Sequence, residues 1–383
     1  FSKFRLVKGS GVEKEALAAE SKEAGDTAVV VAEAAKQDST HMQRMQFAVD
    51  LLQGLSQKPK RLSSLYFYDD IGSEIYARIT ELEEYYLTNC EHEIFTTYRE
   101  TFSDLLGNAP FNVVELGAGD GRKTRVLLEH FLAKGLDFVY NPIDISSGAL
   151  QSLSQKMAQW FQVTLLSEEK IYQDAVKGNE RSEDKGSLAF EPVCADNTDG
   201  LERICAKSNR TNFVLFIGSS VGNFDFADAV KFLQRLWVSL NHGDFLMIGC
   251  DLKKDPRVMQ AAYDDSKGVT AEFNYNLLTR INSELGADFD VSKFQHMAKY
   301  NPHTGAMESW LLSKERQNVH VKMLDKTFQF GAWEAMHTEN SFKFSIEQVR
   351  EMARMAGFVV VKNLTDKRGY FVDSIWRVEK DQK

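Results

Sequence analysis

The fold follows from one run of residues, Val113-Val114-Glu115-Leu116-Gly117-Ala118-Gly119-Asp120-Gly121. Its apolar start predicts a buried strand, its three alternating glycines predict a tight turn, and Arg122–Phe131 continues with helical character. Glycine suits such a turn because it tolerates unusual dihedral angles and lets a ligand approach the backbone. The spacing G-x-G-x-G differs from the G-x-G-x-x-G of pyrophosphate-binding dinucleotide sites, so the turn indicates a different ligand.

Two acidic residues indicate the charge of that ligand. Glu115 lies inside the strand, and Asp144 ends the next strand-like run, Phe138–Ile143. A carboxylate near the turn repels pyrophosphate and favours a cation. In a doubly wound sheet, an acid at the end of the second strand lies where a ribose diol binds. These positions favour S-adenosylmethionine, which carries a sulfonium and an ammonium but no phosphate, although an ordinary strand–turn–helix of another α/β protein has the same glycines.

The composition narrows the class of protein. The chain has 383 residues, 43% of them hydrophobic, so it can bury a large core. Its net charge is −9 and its 46 basic residues are dispersed, which argues against nucleic acid or an anionic membrane as a partner. No apolar run approaches the ~20 residues of a membrane span. We expect a cytoplasmic monomer that acts on a small-molecule substrate.

The cysteines have no metal-ligand spacing, and two of them lie in or beside apolar strand-like runs. Reduced thiols are therefore a better interpretation than a disulfide framework, and no metal site is expected. The four positions are Cys90, Cys194, Cys205 and Cys250.

The organisation of the chain changes several times along its length. Residues 1–41 are rich in Ala, Glu, Lys and Ser and predict a flexible arm outside the core. After them comes an aromatic-rich helical segment, and then strands and helices alternate, which predicts a parallel sheet covered on both faces. The predicted units are the arm 1–41, the helical segment 42–110, a core 111–254, an insertion 255–344 and a C-terminal unit 345–383.

Predicted elements follow from periodicity and caps. The strands of the core are Asn112–Leu116, Asp137–Ile143, Ala189–Cys194, Phe213–Ile217 and Phe245–Cys250, with helices at Gly148–Phe161 and Ala227–Leu240. The later elements are a helix over Val258–Leu285, short strands at Phe294–Lys299, Met307–Leu312 and Val319–Leu324, a helix at Ile346–Ala356, and final strands at Phe358–Asn363 and Tyr370–Val378. The helix Ile346–Ala356 has a capping box, Ser345 with Gln348, and Gly357 as its end.

Several blocks of sequence resemble the L-histidine Nα-methyltransferase family, which makes hercynine for ergothioneine. They occur in family order over about residues 42–380 and read F-Y-D-D-I-G-S-E (67–74), T-E-L-E-E-Y-Y-L-T (80–88), F-I-G-S-S-V-G-N (216–223), A-Y-D-D (262–265), G-V-T-A (268–271), E-S-W-L (308–311) and T-E-N-S-F-K-F (338–344). The resemblance implies an α/β fold: a Rossmann-like class I methyltransferase sheet that binds S-adenosylmethionine, and a second, substrate-binding α+β domain. That second domain would combine the N-terminal helical segment with the insertion after the fifth strand.

The resemblance also implies cofactor contacts at the ends of the core strands. The family's motif residues match Gly117, Lys123, Asp144 and Asp196, the last at the end of the third strand. We add the other residues of the glycine turn and Gly218, which follows the predicted strand Phe213–Ile217. The expected cofactor-binding set is then Glu115, Gly117, Gly119, Lys123, Asp144, Asp196 and Gly218.

The family's histidine pocket maps onto six residues, which are Tyr68, Tyr85, Asn223, Tyr263, Glu339 and Ser341. A carboxylate accepts an imidazole N–H well, and Ser341, two residues along a strand from Glu339, can serve the other ring nitrogen. We expect Asn223 and Tyr263 to bind the substrate carboxylate, although Asn223 can instead cap the helix that starts near Phe224. Tyr68 is our expectation for the group that takes the amine proton.

Two departures from the family pattern concern the shape of the pocket. Glu308-Ser309 replaces the family's Glu-Met at the pocket wall, and Tyr76 stands where a phenylalanine is usual. Neither change touches the reacting groups.

The expected activity is stepwise methylation of the α-amine of histidine, ending at the trimethyl product hercynine. One alternative is a methyltransferase of the same family that acts on another amino acid, such as a tryptophan derivative. Another is a binding module that senses S-adenosylmethionine without catalysis. A third is one domain of a fusion with a sulfur-inserting oxygenase.

Overall fold

The structure, a computed structural model, describes residues 41–165 and 187–380. The predicted arm therefore lies, apart from residue 41, outside the described residues. No helix within these ranges combines the length and apolar character needed to cross a membrane.

Helices account for the aromatic-rich segment and cover the large sheet. They are α1 (41–55), α2 (Asp70–Ile79), α3 (Tyr86–Leu106), α4 (Arg122–Ala133), α5 (Ser147–Trp160), α6 (Asn197–Lys207), α7 (Phe226–Ser239), α8 (Pro256–Tyr263), α9 (Val269–Leu285) and α10 (Ile346–Ala356). The capping box predicted at the start of α10 is confirmed, with Ser345 accepting from the Gln348 N–H and Gln348 accepting from the Ser345 N–H.

The strands fall into three sheets. In chain order they are β1 (Lys60–Arg61), β2 (Phe111–Leu116), β3 (Phe138–Asp144), β4 (Val163–Leu165), β5 (Leu188–Phe190), β6 (Val193–Cys194), β7 (Thr211–Phe216), β8 (Phe245–Asp251), β9 (Phe294–Asn301), β10 (Ala306–Ser313), β11 (Gln317–Val321), β12 (Lys326–Phe330), β13 (Glu334–Phe342), β14 (Phe358–Thr365) and β15 (Phe371–Val378).

The largest sheet has nine strands in the order β14-β15-β8-β7-β2-β3-β5-β4, with β6 beside β3. Its strands are parallel from β4 to β8, whereas β15 runs antiparallel to both β8 and β14. The chain moves outward in one direction from β2 and later returns to β7 on its other side. The point of reversal between β2 and β7 is where open α/β sheets bind ligands, at the carboxyl ends of the strands.

Helices pack on both faces of this sheet, as the alternation of elements predicted. Val113 packs in the core that includes residues of α3 and α4, and its neighbour Val114 packs in the core built with α6, α7 and α10. Successive side chains of a strand point to opposite faces, so a fully buried strand needs cover on both. All six residues of β2 are buried.

A second sheet, in the order β1-β13-β10-β9, is formed mainly by the insertion between β8 and α10. Its first strand comes from the N-terminal segment and pairs in parallel with β13, with Lys60 opposite Met336. The two parts of the chain expected to build a substrate pocket are therefore joined by backbone hydrogen bonds. A separate pair, β11-β12, forms the third sheet.

The prediction of one helix over Val258–Leu285 is wrong. The structure has two helices, α8 and α9, separated by Asp264–Gly268. Asp265 accepts hydrogen bonds from the N–H groups of Lys267, Val269 and Thr270, so it caps the second helix. A side chain that satisfies the free N–H groups at a helix start competes with helix continuation.

Two strand predictions also need correction. Ala189–Cys194 is divided into β5 and β6, because the chain leaves the ladder at Glu191 and Pro192, and Pro192 has no N–H to donate. The predicted strand Val319–Leu324 ends at Val321, where a 3-10 turn over Lys322–Leu324 begins.

Candidate active site

One pocket is lined by four separate parts of the chain: the loop after β7, the stretch 68–85 that contains α2, the α8–α9 region and β13. All six residues predicted to bind substrate line it, namely Tyr68, Tyr85, Asn223, Tyr263, Glu339 and Ser341. Gly218, predicted as a cofactor contact, lines it too, so the pocket reaches the carboxyl end of the large sheet.

The glycine turn between β2 and α4 leaves its backbone accessible. Gly117 and Gly119 have positive φ angles of 70° and 54°, a region that other residues rarely adopt. A Cβ added to either would meet no atom within 4 Å, so open space lies beside both residues. The turn can therefore admit a ligand close to its main chain.

Glu115 lies beneath this turn with both carboxylate oxygens occupied. It accepts hydrogen bonds from the Thr124 hydroxyl of α4, at 2.7 Å, and from the Tyr140 hydroxyl of β3. Only 2% of its surface is exposed, and burial raises its pKa to about 7. The geometry favours a role in tying strand to helix, with any effect on a bound cation exerted through charge instead of contact.

Asp144 and Asp196 lie at the ends of neighbouring strands, as expected. Asp144 accepts from the Ser146 N–H at 2.8 Å, and burial raises its pKa. Asp196 caps α6 by accepting from the N–H groups of Thr198 and Asp199. Asp196 thus has a structural function that does not depend on a cofactor.

Lys123 connects the glycine turn to the pocket through Glu91, a residue that the sequence did not single out. The Lys123 ammonium donates to one Glu91 oxygen, and the other oxygen accepts from the Gly218 N–H at 2.8 Å. Burial lowers the pKa of Lys123, but Glu91 outweighs that effect and the pKa lies above its usual value. The sequence contained one signal for Glu91, since it is a charged residue beside the apolar positions Cys90 and Ile94 that form the buried face of α3.

Asn223 is free of the capping role that was its alternative interpretation. It ends a 3-10 turn, Ser220–Asn223, and Asp225 caps α7 instead by accepting from the Asp228 N–H at 2.9 Å. The Asn223 side chain lines the pocket, where its amide can donate to a carboxylate.

Tyrosines form the aromatic wall of the pocket. Tyr68 meets the ring of Tyr76 edge to face at a centroid distance of 5.5 Å, and the Tyr76 and Tyr85 hydroxyls are 3.3 Å apart. Tyr76, the departure from the family pattern, thus adds a hydroxyl to this wall. Burial raises the pKa of Tyr85 well above its ordinary value, so that phenol stays protonated. Tyr68 is 46% exposed, and a phenol of ordinary pKa is also protonated at neutral pH. A neutral phenol positions an amine by hydrogen bonding but is a weak base.

Glu339 lines the same pocket as a pair of hydroxyl groups, those of Tyr263 and Ser341. Burial raises the pKa of Glu339 to about 7, and the nearby Lys343 ammonium partly opposes the increase. The Tyr263 and Ser341 hydroxyl oxygens are 2.7 Å apart. An acceptor and two hydroxyls therefore line one pocket, a pattern suited to a small ring with two nitrogens.

Ser309 is cross-strand from Glu339 in the β10–β13 pair and is 1% exposed. Its neighbour Glu308 is engaged elsewhere, accepting from the Asn301 amide at 2.7 Å and from the Trp310 indole at 3.2 Å. Since cross-strand partners share one face of a sheet, the departure at this position changes the side chain next to Glu339.

Thr270 is a further pocket residue that residue-by-residue analysis missed. It lines the pocket from the first turn of α9 and is 5% exposed, with the Asp265 carboxylate near its hydroxyl. The sequence signal was present, since Thr270 belongs to the G-V-T-A block.

Comparison with known proteins agrees with this geometry. A family model described as histidine-specific methyltransferase, SAM-dependent, matches residues 47–378. A histidine N-alpha-methyltransferase of Mycolicibacterium smegmatis is 35% identical over 84% of this chain and 92% of its own length. Ergothioneine biosynthesis protein 1 of Schizosaccharomyces pombe is 29% identical over 80% of this chain and 37% of its own length. A 4-dimethylallyltryptophan N-methyltransferase of Arthroderma benhamiae is 24% identical over 81% of this chain and 87% of its own length.

The matched region includes the glycine turn, all four parts of the chain that line the pocket, and both strands that close the large sheet. By the extent of that match, this chain belongs to the family of histidine-specific, S-adenosylmethionine-dependent methyltransferases.

Proposed function

We propose that this enzyme transfers three methyl groups, one at a time, to the α-amine of L-histidine. The product would be hercynine, and the reaction would be the first step of ergothioneine biosynthesis. The observation that carries the proposal is that Glu339 and the Tyr263–Ser341 hydroxyl pair line the same pocket as Asn223 and Gly218. The M. smegmatis relative bears the name of this activity.

The residues around the glycine turn suit S-adenosylmethionine. The accessible backbone of Gly117 and Gly119 would hold its amino-acid part, and Asp144 would accept from its ribose hydroxyls. When bound, the cofactor supplies a methyl group activated by its sulfonium. The Lys123–Glu91 pair would keep the Gly218 backbone in place between the cofactor and substrate sides.

The substrate ring would be read by its two nitrogens. The Glu339 carboxylate would accept the ring N–H, and Ser341 would donate to the other nitrogen. An indole has one N–H and no acceptor nitrogen, so the pocket would leave a hydroxyl unpaired against a tryptophan derivative. An unpaired buried polar group weakens binding, which supports histidine over the alternative substrate.

Positioning and desolvation would provide most of the rate acceleration. Asn223 would fix the substrate carboxylate, and the tyrosine wall would surround the amine, whose successive methylated forms grow in size and end as a permanently charged trimethylammonium. Aromatic faces attract such cations. Since Tyr68 is a protonated phenol at neutral pH, we propose that it orients the amine and that bulk water takes the proton released in each step.

The proposal includes a monomer in the cytoplasm. All four cysteines are free thiols, which fits a reducing compartment.

Mass spectrometry of the products tests the proposal. The purified chain would be incubated with S-adenosylmethionine and, in parallel, with histidine, its mono- and dimethyl forms, or tryptophan. We expect histidine to gain three methyl masses and both intermediates to be converted. Faster turnover of tryptophan than of histidine would overturn the substrate assignment. Calorimetric binding of the cofactor without binding of histidine would instead indicate a sensor.

A further inference from the structure

The Tyr263–Ser341 pair does not stand alone, because a fully buried lysine lies behind it. Lys343 is 1% exposed, and its ammonium lies 2.8 Å from three oxygens: the Tyr263 hydroxyl, the Ser341 hydroxyl and one carboxylate oxygen of Asp251. An ammonium has three N–H groups and no lone pair. All three donors of Lys343 are therefore used, and both hydroxyl oxygens are acceptors toward it.

The charge on Lys343 is held in place from the other side. Asp251 is fully buried and also accepts from Lys254 and from the Tyr86 hydroxyl, the latter at 2.7 Å. Lys254 is a second buried lysine on the same carboxylate, but it contacts neither Tyr263 nor Ser341 in the described structure. The Lys343 ammonium also lies 4.5 Å from the centroid of the Tyr263 ring, which restricts that side chain further.

Counting hydrogens fixes what the pair can offer to a ligand. Two hydroxyl hydrogens are available, and one is used in the 2.7 Å contact between Tyr263 and Ser341. Since the phenol is the more acidic hydroxyl, it donates to the serine oxygen. The remaining hydrogen is on Ser341. None of the described residues accepts it, so it is available to a ligand in the pocket that Ser341 lines.

We propose that Lys343 is a positioning residue that forces the Tyr263–Ser341 pair to donate into the pocket, so that the site selects a ring with an unprotonated nitrogen. Without the ammonium, either hydroxyl could turn and accept a hydrogen bond instead. With it, the pocket presents one donor, from Ser341, and one acceptor, Glu339. That pattern matches one tautomer of a neutral imidazole and rejects both an imidazolium, which has two donors, and an indole. The inference rests on the proposed function, because histidine supplies the ring.

Ligand discrimination by the variant Lys343→Met tests the role. Methionine keeps much of the lysine volume, and Lys254 still neutralises Asp251. We expect kcat/KM for histidine to fall roughly tenfold or more, mainly because KM rises. A factor of that size corresponds to the free energy of one lost hydrogen bond. Phenylalanine has no ring nitrogen and should be a much poorer substrate, and its kcat/KM should stay the same in the variant. The ratio of kcat/KM for histidine to kcat/KM for phenylalanine, here called the histidine-to-phenylalanine ratio, therefore falls.

Lys254→Met is the matched control, since it removes the other ammonium that contacts the Asp251 carboxylate. It should leave the histidine-to-phenylalanine ratio at the wild-type value. An unchanged ratio in Lys343→Met, or an equal fall in both variants, overturns the positioning role. If the wild-type enzyme shows no preference for histidine over phenylalanine, the proposed function fails, and the positioning role of Lys343 fails with it. If Lys343→Met keeps the wild-type preference, only the positioning role of Lys343 fails.

A measurement on the wild-type enzyme covers the case in which Lys343→Met does not fold. Histidine labelled with ¹⁵N in its ring would be bound in the presence of S-adenosylhomocysteine and observed by NMR. We expect one protonated and one unprotonated ring nitrogen, that is, a single neutral tautomer. Two protonated nitrogens, or rapid averaging between tautomers, would contradict a donor of fixed direction at Ser341.

Discussion

At the scale of single residues, Glu339 is the group whose ionisation should be visible in the kinetics. Burial raises its pKa to about 7, so the carboxylate form that accepts a ring N–H is lost as the pH falls through that value. We expect kcat/KM for histidine to decline below about pH 7. Because the substrate also titrates, the informative measurement is the profile of wild-type enzyme divided by that of Glu339→Gln.

The variant Glu339→Gln should lower kcat/KM for histidine by about tenfold at pH 8, since a neutral amide accepts less strongly than a carboxylate. The divided profile should fall as the pH drops through about 7, because the Gln variant lacks that titration while both enzymes share the titration of the substrate. A ratio that stays constant from pH 6 to pH 9 would show that Glu339 does not accept from the substrate ring. Phenylalanine, whose ring has no N–H, serves as the control substrate.

The Thr270 hydroxyl lies in the pocket wall within reach of the Asp265 carboxylate, and from there it can also contact a bound substrate. Thr270→Val keeps the shape of the side chain and removes the hydroxyl. We expect little change in the melting temperature and a loss of about tenfold in kcat/KM for histidine. Thr270→Ser, which retains the hydroxyl, is the control. Equal activity of the Val variant and wild type would exclude a substrate contact.

At the scale of elements, the break between α8 and α9 builds one side of the pocket. Tyr263 ends the first helix and Thr270 lies in the first turn of the second, and Asp265 holds the turn between them with three backbone hydrogen bonds. In a continuous helix, Tyr263 and Thr270 would lie along one straight element and could not enclose a ligand. The error in the sequence-based prediction therefore falls at a functional position.

Asp265→Ala should destabilise the enzyme by about 1–2 kcal/mol, the usual cost of losing a helix cap. Although burial acts in the opposite direction, the backbone hydrogen bonds lower the pKa of Asp265, so its contribution to stability is present above its unfolded value and is lost as the pH falls below ~4. Urea unfolding at pH 7 and pH 3.5 measures this, and the difference between variant and wild type should shrink at the lower pH. Asp264→Ala is the neighbouring control.

At the scale of the whole molecule, the pocket joins parts of the chain that lie far apart in sequence. The segment before the large sheet is tied to the insertion by the β1–β13 pairing and by a bidentate contact at 2.8 Å between Arg78 of α2 and Glu272 of α9. Ligands that bridge these parts should therefore stabilise the fold as a unit.

Thermal unfolding tests this expectation. S-adenosylhomocysteine and histidine together should raise the melting temperature by more than either alone, because each ligand that binds only the folded state adds about 2.7 kcal/mol at 100 times its Kd. Glutamine, an amino acid of similar size without an aromatic ring, should add nothing to the shift caused by S-adenosylhomocysteine. An equal shift with glutamine would mean that the pocket does not recognise the ring.

Much of the large sheet was predictable because its information is local. The run around Gly117 and the capping box at Ser345 each place strand, turn or helix within a few residues, and the structure agrees at both positions. The roles of Glu91 and Lys343 were not predictable in this way. Their partners, Lys123 and Tyr263, are separated from them by 32 and 80 residues, and a single sequence contains no period or spacing that relates the members of such pairs.

By itself, then, the chain's sequence determined the order of strands and helices, the glycine turn and, through its motif blocks, the family. Hydrophobic period and turn chemistry act over a few residues, so they can be read without a fold. Only the tertiary structure decided that Glu115 ties strand to helix, that Asn223 is free to meet a ligand, and that Lys343 stands behind the hydroxyl pair. These outcomes depend on which donors and acceptors remain unpaired once distant segments have packed, and packing brings them together only in three dimensions.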